Sequence, residues 1–82
     1  MTATDPSQDV DVEVDASGLL CPMPLLKAKK ALNGMAVGES LRLVSTDPGS
    51  ERDFEVFCRQ SGHALLSSAR DGDRFIYLLR KA

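Results

Sequence analysis

The chain has 82 residues, enough for one domain with a two-layer core but too few for a substrate cavity together with a separate cofactor-binding fold. It carries 10 lysines and arginines against 12 acidic residues, for a net charge of −2, so its bulk charge does not favour direct nucleic-acid binding. No apolar run approaches the roughly 20 residues that a membrane helix needs, so no membrane association is expected.

Residues 1–8, MTATDPSQ, are small and polar and include a proline. This composition predicts a disordered lead-in to a single domain that covers residues 9–82. The same segment lacks the basic start and the apolar stretch of a signal peptide, so we expect a cytoplasmic protein.

An alternating segment, Asp9 to Asp15, follows the lead-in. Val10, Val12 and Val14 fall on one face and acidic residues on the other, which is the period of a half-buried strand. The first strand is therefore predicted over residues 9–15.

A helix is predicted from about Cys21 to Asn33, because prolines 22 and 24 are tolerated only in a first turn and the pair Asn33-Gly34 supplies a stop. Its core stripe comprises Pro24, Leu25, Ala28, Ala31 and Leu32.

The rest of the helix surface carries lysines 27, 29 and 30, which are typical of a solvated face. Met23 and Leu26 are apolar, lie off the core stripe and neighbour the cysteine. An exposed apolar pair in a basic surround indicates a docking surface for a protein partner. We predict that this surface consists of Met23, Leu26, Lys27 and Lys30.

The second half of the chain is predicted to contain a strand, a helix and two further strands. A strand is predicted over Leu41–Thr46, and capping residues start a helix between positions 47 and 51. Gly62 ends that helix, and two strands follow at His63–Ala69 and Arg74–Arg80. The last strand is almost wholly apolar, so it should be central, or covered on one face and lightly exposed on the other. The buried stripe of the second helix is predicted to comprise Phe54, Phe57, Cys58 and Ser61.

The resulting order is βαβαββ, and two helices can cover only one face of a four-stranded sheet. The predicted fold is an α+β, two-layer α/β sandwich. Its sheet is mixed, since the helical crossovers imply parallel pairing and the last turn implies an antiparallel pair.

Cys21 is the strongest candidate for a reactive residue in the sequence, because its sulfur is a potential nucleophile. A helix start and nearby lysines, Lys27 among them, are expected to lower the pKa of its thiol. If Cys21 is the N-cap, the amide of Met23 is the expected donor to the sulfur. Pro24 stands where a Cys-x-x-Cys motif would have its resolving thiol, so sulfur bound to Cys21 would persist until another molecule takes it. That is the behaviour of a carrier.

Two other interpretations remain open for Cys21. It could form a redox pair with Cys58, although the helical spacing places Cys58 in the core. Alternatively, the Cys-Pro-Met-Pro turn could be a rigid docking shape in a regulatory interaction module, with the thiol incidental. No metal site and no cofactor are expected, because no cysteine has a partner at metal-binding spacing and the single histidine, His63, is remote in sequence.

The residues Gly18-Leu19-x-Cys21-Pro22-x-Pro24 resemble the signature of the TusA (SirA-like) sulfur-carrier family, in which Gly18 and the prolines present the cysteine. The similarity extends through Thr46-Asp47-Pro48, Arg52-Asp53 and Gly62-His63 to the closing strand, over roughly residues 11 to 81. Members often carry Glu or another polar residue between the prolines, whereas this chain has Met23.

The resemblance implies that Cys21 accepts sulfane sulfur as a persulfide from a cysteine desulfurase or a rhodanese-like donor. The chain would then pass the sulfur to a downstream acceptor protein, so that it acts in sulfur transfer as a persulfide carrier and not as a stand-alone enzyme. Family destinations include tRNA thiolation, molybdenum-cofactor maturation and sulfur metabolism, and some members were first described as regulators. A monomer is expected.

Overall fold

The computed structural model describes residues 10–82, which form six elements in the predicted order βαβαββ. Within this range neither helix has the length and apolarity to span a membrane. The predicted lead-in, residues 1–8, and the predicted strand start at Asp9 lie outside the described residues. The elements are β1 (Val12–Ala16), α1 (Met23–Asn33), β2 (Ser40–Ser45), α2 (Ser50–Ser61), β3 (Ala64–Asp71) and β4 (Arg74–Arg80).

The four strands form one mixed sheet in the order β1-β2-β4-β3. β1 and β2 are parallel, whereas β4 pairs antiparallel with both β2 and β3. The predictions of a mixed sheet and of a central last strand are therefore confirmed. Because β1 and β2 are parallel neighbours, the loops that leave them, and the helices that follow, begin at the same edge of the sheet.

The core lies between the sheet and the two helices. Alternate residues of β2 and β4 face it, since side chains along a strand point to opposite faces. The ring of Phe54 on α2 stacks on Tyr77 of β4 with centroids 4.6 Å apart. The buried residues on this face include Leu41, Leu43 and Ser45 on β2, Phe75, Tyr77 and Leu79 on β4, Pro24, Ala28 and Leu32 on α1, and Phe54 and Cys58 on α2.

Most of the predicted element boundaries and core residues hold. Gly62 ends α2 in the left-handed conformation, with φ of 87°, and its amide donates to the carbonyl of Cys58. Ser61 is exposed, so its assignment to the buried stripe was wrong. The residue is the last of the helix, and its hydroxyl accepts a hydrogen bond from the amide of His63 instead of packing. β3 reaches Asp71, two residues further than predicted, because the hairpin pairing continues to the turn.

Candidate functional site

A hydrogen bond connects the loop between β1 and α1 to Thr46, the residue directly after β2. Gly18 adopts φ of 80°, which L side chains rarely adopt, and its amide donates a hydrogen bond of 2.9 Å to Thr46 Oγ1. The amide of Leu19 donates to the carbonyl of Ala16 at 3.2 Å. The conformation of Gly18 and its hydrogen bond thus constrain the chain just before Cys21, and its role in positioning the cysteine stays a prediction.

Helix α1 starts one residue later than the N-cap prediction requires. Pro22 occupies the N-cap position and follows a cis peptide bond. The amide of Met23 donates to the carbonyl of Leu20 at 2.8 Å, so it does not donate to the sulfur of Cys21, and that prediction was wrong. Pro24 is buried in the first turn, as the core stripe requires.

The side chain of Cys21 is turned towards helix α2. Its Sγ donates a hydrogen bond of 2.8 Å to Oδ2 of Asp53, which lies half-buried in the first turn of α2. Sequence patterns did not connect Asp53 with Cys21. The available signal was the parallel pairing of β1 with β2, which brings the starts of both helices to one edge of the sheet.

The pKa of the Cys21 thiol is raised above its ordinary value, contrary to the expectation from sequence. The hydrogen bond to Asp53 is the largest cause, followed by desolvation and by the negative charges of Asp53 and Asp47. No lysine is among the charges that shift it. A carboxylate beside a thiol disfavours the thiolate, and the sulfur does not point into the free amides of α1. In this conformation Asp53 therefore favours the protonated form of Cys21.

Asp47 completes a cluster with Cys21 and Asp53. One potential ligand atom from each of the three side chains lies within 4.8 Å of the others. Oδ1 of Asp47 accepts a hydrogen bond from the amide of Gly49, whereas Oδ2 is buried without a hydrogen-bond partner among residues 10–82. Within the same part of the chain, neither carboxylate of the cluster forms an ion pair.

The residues predicted to form a docking surface lie on the exposed side of α1. Met23 is 44% exposed and Leu26 is 47% exposed, and both lysines of the prediction, Lys27 and Lys30, face solvent. Leu20, which the sequence analysis did not select, is 72% exposed and lies in the loop next to Cys21. An apolar surface thus adjoins the thiol, and its use for docking stays a prediction.

The second cysteine is separated from this site. Cys58 is 7% exposed and packs in the core, as predicted, and both cysteines are free thiols. Cys21 is therefore the only exposed cysteine in the described part of the chain. His63 lies at the other end of α2, where its Nδ1 accepts a hydrogen bond from the amide of Ala82.

Comparison with known proteins matches nearly the whole of the described chain. The family model described as "Sulfurtransferase TusA" matches residues 12–81. The chain is 49% identical over 74 residues to the sulfur carrier protein TusA of Allochromatium vinosum, covering 90% of this chain and 97% of that protein. It is 38% identical over 71 residues to the sulfur carrier protein TusA of Pseudomonas putida, covering 87% of this chain and 89% of that protein.

Among solved structures, the fold is similar to that of a SirA-like protein from Desulfitobacterium hafniense. The two structures superpose with a TM-score of 0.76 over 85% of this chain and 96% of that chain. Their sequence identity is 21%, so this likeness bears on the fold alone.

Proposed function

Because the chain belongs to the TusA family, we propose that it is a sulfur carrier that holds sulfane sulfur as a persulfide on Cys21. The observation that carries this proposal is the isolation of one exposed thiol. Cys21 is presented on a surface loop, Pro24 replaces a resolving thiol, and Cys58 is buried. Sulfur placed on Cys21 thus meets no second exposed cysteine within residues 10–82 that could displace it.

The loading step is a thiol exchange reaction. The thiolate of Cys21 attacks the outer sulfur of a donor persulfide, and a new S–S bond forms at Sγ. The S–S bond of the donor breaks, its electron pair stays on the donor sulfur, and that sulfur leaves as a thiolate. The proton of Cys21 passes to the leaving thiolate or to solvent, so the step needs no external oxidant or reductant.

The contact between Asp53 and Cys21 determines when the loading step can occur. While its carboxylate accepts the hydrogen bond from Sγ, Cys21 stays protonated and a poor nucleophile. A bound donor that displaces Asp53, or that brings a cation next to it, would release the thiolate. Reactivity would then depend on docking, which suits a carrier that must react only with its own partners.

The proposed partners are a cysteine desulfurase or a rhodanese-like protein as donor, and a downstream sulfur-acceptor protein. We place the relay in the cytoplasm, where thiols are kept reduced. The exposed Met23 and Leu26, with Lys27 and Lys30, form the proposed docking surface. The proposed destinations are tRNA thiolation, molybdenum-cofactor maturation or sulfur metabolism.

The test is complementation of a strain whose own gene for a sulfur carrier of this family has been deleted. The readouts are thiolated tRNA nucleosides and molybdenum-enzyme activity. We expect Cys21→Ser to fail in every pathway that the natural chain restores, and Cys58→Ser to succeed.

The exposed apolar pair Met23 and Leu26 favours a second candidate, a regulatory interaction module. That module would be indicated, and the carrier rejected, if Cys21→Ser restored the pathways fully.

A further inference from the structure

The cluster of Cys21, Asp47 and Asp53 is assembled from three separate segments of the chain. Cys21 comes from the loop before α1, Asp47 from the loop after β2, and Asp53 from the first turn of α2. Their potential ligand atoms nevertheless lie within 4.8 Å of one another. Spacing in the sequence gives no sign of this arrangement, which arises from the parallel pairing of β1 and β2.

The backbone around the cluster is held by several hydrogen bonds. The carbonyl of Asp47 accepts one from the amide of Ser50 at 3.0 Å and another from the hydroxyl of Ser50 at 2.7 Å. That hydroxyl also contacts the buried hydroxyl of Tyr77 at 2.7 Å. The segment that carries Asp47 is therefore tied to the core, and its carboxylate is presented by a constrained scaffold.

Asp47 has an oxygen that the protein itself does not satisfy. The residue is only 9% exposed, and its Oδ2 is buried with no hydrogen-bond partner in the described range. A buried carboxylate oxygen without a partner is costly, and such groups are rare in folded proteins. Neither Asp47 nor Asp53 has a lysine or arginine at ion-pair distance within residues 10–82. The cluster thus gathers negative charge without a cation.

We propose that Cys21, Asp47 and Asp53 form a binding site for a divalent transition-metal ion of the zinc class. Zinc takes cysteine sulfur at about 2.3 Å and carboxylate oxygen at about 2.0–2.2 Å, which places the ligand atoms of a tetrahedral site about 3.4–3.6 Å apart. On binding, Sγ of Cys21 and Oδ2 of Asp53, now 2.8 Å apart, would separate slightly, and the other ligand atoms, at most 4.8 Å apart, would approach one another. Mg²⁺ and Ca²⁺ are disfavoured, because they require more oxygen ligands and do not favour sulfur.

The ion would give the cluster the positive charge that it lacks. It would replace the proton that Sγ of Cys21 donates to Asp53, and that proton would go to solvent. A tetrahedral ion held by these three side chains would keep one coordination position for water. Because coordination occupies Sγ, the ion would also compete with any reagent that attacks or modifies this sulfur, including a sulfur donor. The proposed metal site does not depend on the proposed function. Only the competition between the metal ion and a sulfur donor rests on that function.

Titration of the metal-free full chain with Co²⁺ and Zn²⁺ tests the site directly. We expect one equivalent of Co²⁺ to produce a sulfur-to-cobalt charge-transfer band that Zn²⁺ displaces. Cys21→Ser should abolish the band. Asp47→Asn and Asp53→Asn, which preserve side-chain shape, should each weaken Zn²⁺ binding by about tenfold or more in competition with a chromophoric chelator.

Glu51→Gln is the matched control, since Glu51 is an exposed acidic residue in the same turn of α2 as Asp53. It should bind Zn²⁺ like the natural chain. Circular dichroism of each metal-free variant establishes that it is folded, and the two aspartate variants test the site independently. The proposal is overturned if no charge-transfer band forms, or if the folded Asp47→Asn and Asp53→Asn variants bind Zn²⁺ as tightly as Glu51→Gln does.

Discussion

At the scale of single residues, the carboxylate of Asp53 raises the pKa of the Cys21 thiol. The sequence correctly singles out the cysteine, because two prolines, a glycine and a helix start surround it. The predicted lowering of the thiol pKa was wrong, because a helix start lowers the pKa of a thiol that faces its free amides, whereas the side chain of Cys21 faces Asp53. Sγ donates to the Asp53 carboxylate, and that interaction outweighs any benefit of the helix end.

We therefore expect Asp53→Asn to make Cys21 more reactive. The substitution removes the negative charge and the hydrogen bond that raise the thiol pKa, so the thiolate fraction near neutral pH should rise. Iodoacetamide alkylation, measured against pH with a chelator present, should be several-fold faster at pH 7, and its pH profile should move to lower pH. The small loss of intrinsic nucleophilicity at lower pKa offsets only part of this gain.

Glu51→Gln provides the control, because Glu51 is not among the charges that shift Cys21. An alkylation profile of Asp53→Asn that coincides with that of the natural chain would show that Asp53 does not control the thiol.

At the scale of elements, helix α1 has one side in the core and another beside the thiol. Pro24, Ala28 and Leu32 are buried, while Met23 and Leu26 are exposed. Helical periodicity predicts this division from sequence alone, since the spacing of apolar residues defines the core stripe. The exact N-cap could not be predicted, because both Cys21 and Pro22 can precede a first turn, and the hydrogen bond of the Met23 amide decides between them.

Two leucine substitutions on α1 test this division. Leu32→Ala should lower the free energy of unfolding by about 2–5 kcal/mol, because Leu32 is 1% exposed and its removal leaves a cavity in the core. Leu26→Ala should change that free energy by no more than about 0.5 kcal/mol, because Leu26 is 47% exposed. Urea unfolding followed by circular dichroism measures both. Equal losses of stability in the two variants would contradict the assignment of the faces.

At the scale of the whole molecule, the fold and the family were both predictable from sequence. The order βαβαββ, the mixed sheet and the resemblance carried by Cys21-Pro22-Met23-Pro24 are confirmed. The meeting of Cys21, Asp47 and Asp53 was not predicted, because local patterns specify elements, whereas this contact depends on which strands pair. Parallel pairing of β1 with β2 places the three side chains at one edge of the sheet.

The exposed apolar residues are distributed over different parts of the molecule, which permits a matched test of the docking surface. Leu26 on α1 is 47% exposed, and Leu66 on the edge strand β3 is 42% exposed. We expect Leu26→Glu to weaken binding to a cysteine desulfurase by about tenfold or more, as for a central residue of an interface. Leu66→Glu should leave affinity unchanged.

Isothermal titration calorimetry of the chain with the desulfurase provides these affinities. If Leu66→Glu weakened binding as much as Leu26→Glu, the surface of Met23 and Leu26 would not be the site of docking.

The most direct test of the proposed carrier role is mass spectrometry of the chain after incubation with a cysteine desulfurase and cysteine. We expect the intact protein to gain the mass of one sulfur atom, with peptide mapping locating it on Cys21 and dithiothreitol removing it. Cys58→Ser should gain sulfur equally, and Cys21→Ser should gain none. A chain that gains no sulfur from a desulfurase or rhodanese-like donor, or that gains it equally well after Cys21→Ser, would contradict the proposal.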